Sequence, residues 1–385
     1  MAQSTNQVNN ELIKFKREVT YGFLRQHRFG RYMGDGATSI IRFVRDLQAD
    51  GRQINIPLVD QMRGDGVGTG VLSGNEEAID NYGYPMFADW LRHGATWTKA
   101  TEKDSILKFM SIGRELLSNF AKRRVRDEIV QALLSLPTGA APAGFRGPTG
   151  SRINGVPWSL ASAAQRNAWD TANSDRVLYG NALANRVGGN VASSLANITT
   201  AMRPNTAMVE LARFIAQQTT QNKITPYMIG SEDENYEEMY VLFVGSRAHR
   251  DIAADTAMSN ANRDARPREG NSMQKNPIFK AGDLLWRNVI ITEVPEIDEQ
   301  LTLTGVGASS SNVAPMFLCG SSALGYVLGQ DPVPTRADQT DYDFNRGIGI
   351  ETQYGIGKIA KIPPGGSALK DWGMVTIFAN SVNPT

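Results

Sequence analysis

The clearest periodic stretch of the chain lies at 101–136. Apolar residues recur there at Ile106, Phe109, Met110, Leu116, Leu117, Phe120, Val125, Ile129, Leu133 and Leu136. Steps of mostly three, four and seven residues draw one face of a helix. Thr101 suits a cap, Glu102 and Asp104 complement the helix dipole, and Pro137 and Gly139 stop the helix. At 1.5 Å per residue it would run roughly 50 Å, the length of a strut. A shorter helix is predicted over 207–221, with Val209, Ala212, Phe214 and Ile215 as its apolar side. From 225 onward the pattern turns to strands at 239–244, 284–294, 316–319, 347–360 and 372–379. Helix first and strands later, without βαβ alternation, indicates an α+β fold.

Other segments carry no sustained period. Residues 54–59 read as a strand in which Pro57 marks an edge position. A glycine-rich stretch at 64–74 separates it from a second extended run at 84–97. Such a two-stranded excursion is marginal alone, so it should lean on another surface. Residues 1–53 mix Phe23, Phe29, Tyr32 and Phe43 with Arg25, Arg28, Arg31, Arg42 and Arg45. That mixture reads as an arm packed on something larger, either nucleic acid or a protein neighbour. Residues 138–205, rich in Gly, Pro, Ala, Ser and Asn, read as a long loop with short helical turns.

Charge narrows the partners. Forty basic residues against 39 acidic, in 385, give a net charge of +1. A protein that grips nucleic acid usually shows a strong basic excess, because phosphate neutralisation dominates its affinity. The balance suits a surface that faces DNA without sticking to it. The single cysteine, Cys319, excludes an intramolecular disulfide and any Cys-built zinc site. Residues 1–10 lack the apolar core of a signal peptide, and no stretch reaches the roughly 20 apolar residues of a membrane span. Synthesis in a reducing cytoplasm is the expectation.

Candidate chemistry is thin. His249-Arg250-Asp251 resembles part of a kinase catalytic loop, but the asparagine needed five residues after the aspartate is Thr256. The 64–74 glycines lack the lysine and hydroxyl of a phosphate-binding loop. His27, His93 and His249 are scattered, and the paired carboxylates Glu76-Glu77 and Asp341-Asp343 sit in turns. Neither a cofactor nor a catalytic or metal site is implied. The basic run Lys122-Arg123-Arg124-Val125-Arg126 leaves three readings open: phosphate contact, a solvated face, or pairing with carboxylates of another subunit.

Several blocks occur in a recognisable order. Leu72-Ser73-Gly74-Asn75-Glu76-Glu77-Ala78 leads to Asp89-Trp90-Leu91-Arg92-His93. Asn276-Pro277-Ile278-Phe279 and Trp286-Arg287-Asn288-Val289-Ile290-Ile291 follow, then Asp341-Tyr342-Asp343, Arg346-Gly347-Ile348 and Gly357-Lys358. Over roughly 54–380 the chain resembles the phage N-four-type major capsid family of tailed bacteriophages; 138–205 and 301–314 lie outside the resemblance. The resemblance implies the HK97 fold, with the 89–93 block opening the long helix. It implies an N-terminal arm at 1–53, an extended loop at 54–100 and a peripheral domain at 101–224 with its spine helix at 101–136. An axial domain at 225–335 and a return to the peripheral domain at 336–385 complete it.

The function implied is structural, not enzymatic: self-assembly into pentamers and hexamers of an icosahedral head around double-stranded DNA. Scaffolding, portal and cement proteins are the implied partners, with no membrane, and the virion is the implied location. An encapsulin-like compartment, or an enzyme with its site in the unplaced loops, are the alternatives. In a shell of this fold the extended loop lies across an adjacent subunit near its spine helix. Glu76, Glu77 and Asp80 are therefore expected to meet Arg123, Arg124 and Arg126 of a neighbour. Some members of the fold join a loop lysine covalently to a neighbouring asparagine, but between Lys16 and Lys99 this chain has no lysine.

Overall fold

A computed structural model describes residues 28–48, 51–60, 62, 66–77, 79, 81–104, 109–148, 150–218, 223–229, 237–264, 283–337, 341–342, 344–363 and 366–382. Most of the expected N-terminal arm, the block at 276–279, Asp80 and Asp343 lie outside these residues.

Two sheets organise the chain. The first runs Met33–Gly34, Ile41–Val44, Leu324–Arg336, Asn345–Lys358, Asp89–Thr98, with Ile153–Asn154 paired alongside Asn345–Lys358. The second runs Leu284–Trp286, Val289–Glu293, Glu237–Val244, Val313–Cys319, Met374–Asn380, Val177–Tyr179, and Tyr227–Ile229 adds to Glu237–Val244. Apolar runs such as Met239–Val244 predict strands buried on both faces. Val313–Cys319 and Met374–Asn380 are buried at every position. One face of this sheet meets Met208, Val209, Ala212, Ile215 and Ile252. Its other face shares a core with the first sheet and the long helix, through Phe243, Phe317, Phe378, Ile129 and Tyr354.

The helical expectation is met with adjustments. Helices occupy Lys99–Asp104 and Phe109–Leu133. Leu117, Ala121, Val125, Ile129 and Leu133 face the core, Phe120 is only partly buried, and Leu116 is exposed. Successive helical residues diverge by about 100°, so Leu116 and Leu117 cannot share one buried face. The shorter helix is Thr206–Gln218, with Phe214 turned outward. Within 138–205, Ala163–Ala172 is a helix with a Ser162/Gln165 capping box, a start signal present in the sequence.

Three boundaries fall elsewhere than expected. Asp89–Thr98 is a ten-residue strand, not the opening of the long helix; it pairs with Asn345–Lys358 from Asp89↔Tyr354 to Thr98↔Asn345. A division at 335/336 cuts one antiparallel hairpin, since Leu324–Arg336 and Asn345–Lys358 pair with each other. Met374–Asn380 joins the second sheet by pairing with Val313–Cys319. Of the expected arm, Phe29, Tyr32 and Phe43 are buried in the chain's own core, and Arg31 ion-pairs with Asp283.

Candidate intersubunit surface

Gln53–Val59 and Asn81–Phe87 form an antiparallel hairpin in register from Gln53↔Phe87 to Val59↔Asn81. Alternation turns Ile56, Leu58, Tyr84 and Met86 inward onto Leu47, Val327, Ile359 and Ala360. Both ends of the paired part are tied down. At the root, the Phe87 N–H donates to Asn154 Oδ1 and Asn154 Nδ2 donates to the Phe87 carbonyl, each at 2.9 Å. At the far end, buried Lys361 ion-pairs with Asp60. A Cβ at Gly355 would land on the Phe87 carbonyl oxygen, so the close approach of strand to root requires glycine there.

Past Asp60 the chain projects. Met62, Val71, Leu72 and Ile79 are each more than 60% exposed. The tip nevertheless has internal order: Asn75 N–H donates to the Leu72 carbonyl at 2.9 Å, and Asn75 Nδ2 to the Val71 carbonyl at 2.9 Å. Glu76 accepts the Gly74 N–H at 2.7 Å, and both Glu76 and Glu77 are exposed. Asp80 lies outside the described residues. An ordered, apolar and acidic tip on a buried root is an arrangement that gains by covering.

The arginines of the long helix divide. Arg124 donates to Glu128 at 2.8 Å, one turn on. Arg126 ion-pairs with Glu296 at 2.9 Å and Asp127 at 3.1 Å. Arg123 is exposed. The pairing expected across subunits thus finds two of its three arginines already matched within the chain. Glu128 is the centre of a buried network: it also accepts from Arg152 Nη2 at 2.5 Å and from the Tyr354 hydroxyl at 2.7 Å. Burial by itself pulls the Arg152 guanidinium down, but the Glu128 hydrogen bonds and charge outweigh it and hold Arg152 above its usual range. Burial first, and then the Glu128 charge, push the Tyr354 phenol well up. A second network sets Lys358 against Asp371 at 2.9 Å, with the ammonium 4.9 Å from the Trp169 ring centroid.

These networks are what reading the sequence missed. The available signal was Glu128 itself, which falls in step with Leu117, Ala121 and Val125 on the buried stripe. His93 stacks on Phe120 with ring centroids 4.1 Å apart, and His249 lies on the helix Ser246–Ala254. His27 lies outside the described residues. Cys319 is fully buried, which pushes its thiol up and away from reactivity. Among the described residues no carboxylate, histidine and cysteine group could hold a metal, and no helix is long and apolar enough to cross a membrane.

The phage capsid protein family matches residues 7–383. This chain belongs to that family. The capsid of cyanophage Pam1 is similar over 94% of both chains, at 30% identity and a TM-score of 0.78. The capsid of Ralstonia phage GP4 is similar at 18% identity and a TM-score of 0.68, covering 93% of this chain and 92% of that one. The head of the Helicobacter pylori bacteriophage KHP40 follows at 12% identity and 0.59, covering 92% and 91%. No curated protein sequence matches. The capsid protein therefore has the HK97-like fold, is a structural major capsid protein of the tailed-phage type, and self-associates in the virion. The encapsulin-like alternative is not favoured.

Proposed function

We propose that the capsid protein closes an icosahedral head of pentamers and hexamers around double-stranded DNA, each hairpin tip lying across an adjacent subunit. One observation carries the tip's role: an ordered segment that keeps Val71 and Leu72 in water sits on a hairpin fixed at its root by Asn154 and at its far end by Lys361. A fixed root aims the tip; exposed apolar side chains supply the reason to be covered. On this reading the sheet of Leu324–Arg336, Asn345–Lys358 and Asp89–Thr98, with the long helix, is the peripheral domain, and the second sheet is the axial one. Scaffolding and portal proteins would set size and vertex, cement proteins would bind the finished shell, and production would take place in the host cytoplasm. Glu76, Glu77 and Asp80 supply the tip's charge; of the helix arginines expected to meet it, Arg124 and Arg126 are already paired within the chain, so the main receptor of the tip lies elsewhere on the neighbour.

Electron microscopy of the purified protein, alone and coexpressed with its scaffolding protein, tests this. Closed shells with pentameric and hexameric units are expected; discrete small oligomers under both conditions would sink the proposal. Because the loop has no lysine between Lys16 and Lys99, boiled wild-type shells should run as 42.1 kDa monomers. A covalent ladder would show that another nucleophile has taken the lysine's place.

A further inference from the structure

A second feature of the first sheet has the chemistry to receive the tip. Trp90, Arg92, Arg146, Arg152 and Glu351 line a pocket of about 730 Å³ at the edge where Asp89–Thr98 meets the 146–152 segment. Its floor is spent: Arg152 is committed to Glu128. Its rim is not. Arg92 is 75% exposed and has only a loose contact, 3.6 Å, with Glu351. The Arg146 side chain is exposed and lies 5.9 Å from the Phe145 ring centroid, with no carboxylate partner among the described residues. The nearby Asp89 is turned inward, accepting the N–H groups of Trp90 and Arg146. Two rim cations against one carboxylate, beside the partly exposed Trp90, make a receptor for an acidic segment with an apolar shoulder.

Resting on the reading of the hairpin given above, we infer that this pocket receives Glu76 and Glu77 of a second copy of the chain, with Val71 and Leu72 against Trp90. The tip carries both required chemistries within seven residues. It does not fill the pocket of its own subunit, since Glu76, Arg92 and Arg146 are all exposed in the single chain. The helix arginines are the poorer receptor, because Glu128, Asp127 and Glu296 already neutralise Arg124 and Arg126. Like charges set face to face across an interface suppress assembly, and opposite ones fix its register.

The natural cysteine count makes the test clean, since Cys319 is buried and silent. Shells of a chain carrying Glu76→Cys and Arg146→Cys, mildly oxidised, should give a ladder of covalent oligomers that a reductant collapses. Assembled shells that stay monomeric overturn the inference. So does a ladder from Glu76→Cys with Arg123→Cys but not from the Arg146 pair. Should the cysteine chain not assemble, charge reversal decides. Arg92→Glu with Arg146→Glu should cut shell yield about tenfold, and adding Glu76→Lys with Glu77→Lys should recover it. No recovery overturns the pairing, and so does normal assembly of the doubly reversed rim. If phosphate of packaged DNA were the true occupant, DNA-free shells would show neither ladder nor rescue. Wild-type shells under the microscope keep the two proposals apart: their absence sinks the shell reading, whereas their presence without cross-links sinks only the pocket.

Discussion

The Glu128 network and the hairpin tip treat charge and apolar surface in opposite ways. Around Glu128, two arginines and a phenol converge on one carboxylate that is 1% exposed, and every group finds its partner within the chain. At the tip, two glutamates and several aliphatic side chains stand in water. Burying ions is costly unless geometry and hydrogen bonds compensate, so the first arrangement locks one packing of helix on sheet. The second leaves its favourable energy unspent in the monomer. A shell subunit needs both: a body that does not change, and a surface whose burial waits for a neighbour.

The comparison predicts that conditions attacking the core unfold the subunit, and alkali should do so most broadly. Burial pushes the phenols of Tyr32, Tyr84, Tyr179, Tyr326 and Tyr354 up, Tyr32 to about 12. A phenol whose folded value is raised favours the folded state fully below its unfolded value of 10. That contribution drains away as pH climbs through 10 toward the folded values. Denaturant titrations from pH 8 to 12 should therefore show stability falling above pH 10; a flat profile would mean these phenols are not buried. Next in size is Glu128→Ala, which strands buried Arg152 and the Tyr354 hydroxyl. Breaking a buried pair costs about 3–5 kcal/mol, so soluble yield should collapse.

Core packing should grade by depth along the long helix. Leu117→Ala removes a fully buried side chain and should cost about 2–5 kcal/mol in denaturant unfolding. Phe120→Ala should cost clearly less, because Phe120 sits at the margin and stacks on His93. Equal losses would place both residues equally deep and contradict the observed face. This grading also shows what the sequence made legible. The helix and the strands at 239–244 and 316–319 announce themselves because period and apolar runs are local signals. The rank of Phe120 does not, because it depends on His93, which reaches the helix from another element. The Asp89–Thr98 strand was legible as part of the extended run at 84–97, but its ten-residue pairing with Asn345–Lys358 was not, since it spans some 250 positions of chain. For the same reason the basic run looked unpartnered. Arg126 finds Glu296 only through the fold, and the rim of Arg92 and Arg146 joins residues from separate segments. The acidic tip, by contrast, was legible as Glu76-Glu77, since both glutamates stay exposed at the surface.

The smallest effect on folding should come from the tip, and it should carry the largest ratio of assembly loss to stability loss. Val71 is 74% exposed and Leu72 63%, so the folded monomer gains almost nothing by keeping them apolar. Surface changes away from buried features usually fall within about 0.5 kcal/mol. Val71→Ser with Leu72→Ser should therefore leave the denaturation midpoint of unassembled protein near that of wild type. The same variant should lose shells, because the side chains that a neighbour covers no longer repel water. Glu76 continues to accept the Gly74 N–H, so the turn itself survives the exchange. Sedimentation of assembly reactions, beside denaturant curves on the same preparations, separates the two effects. A midpoint drop as large as that of Leu117→Ala would make the tip part of the core. Normal shells from the serine variant would show that the tip's apolar surface is not what the neighbour covers.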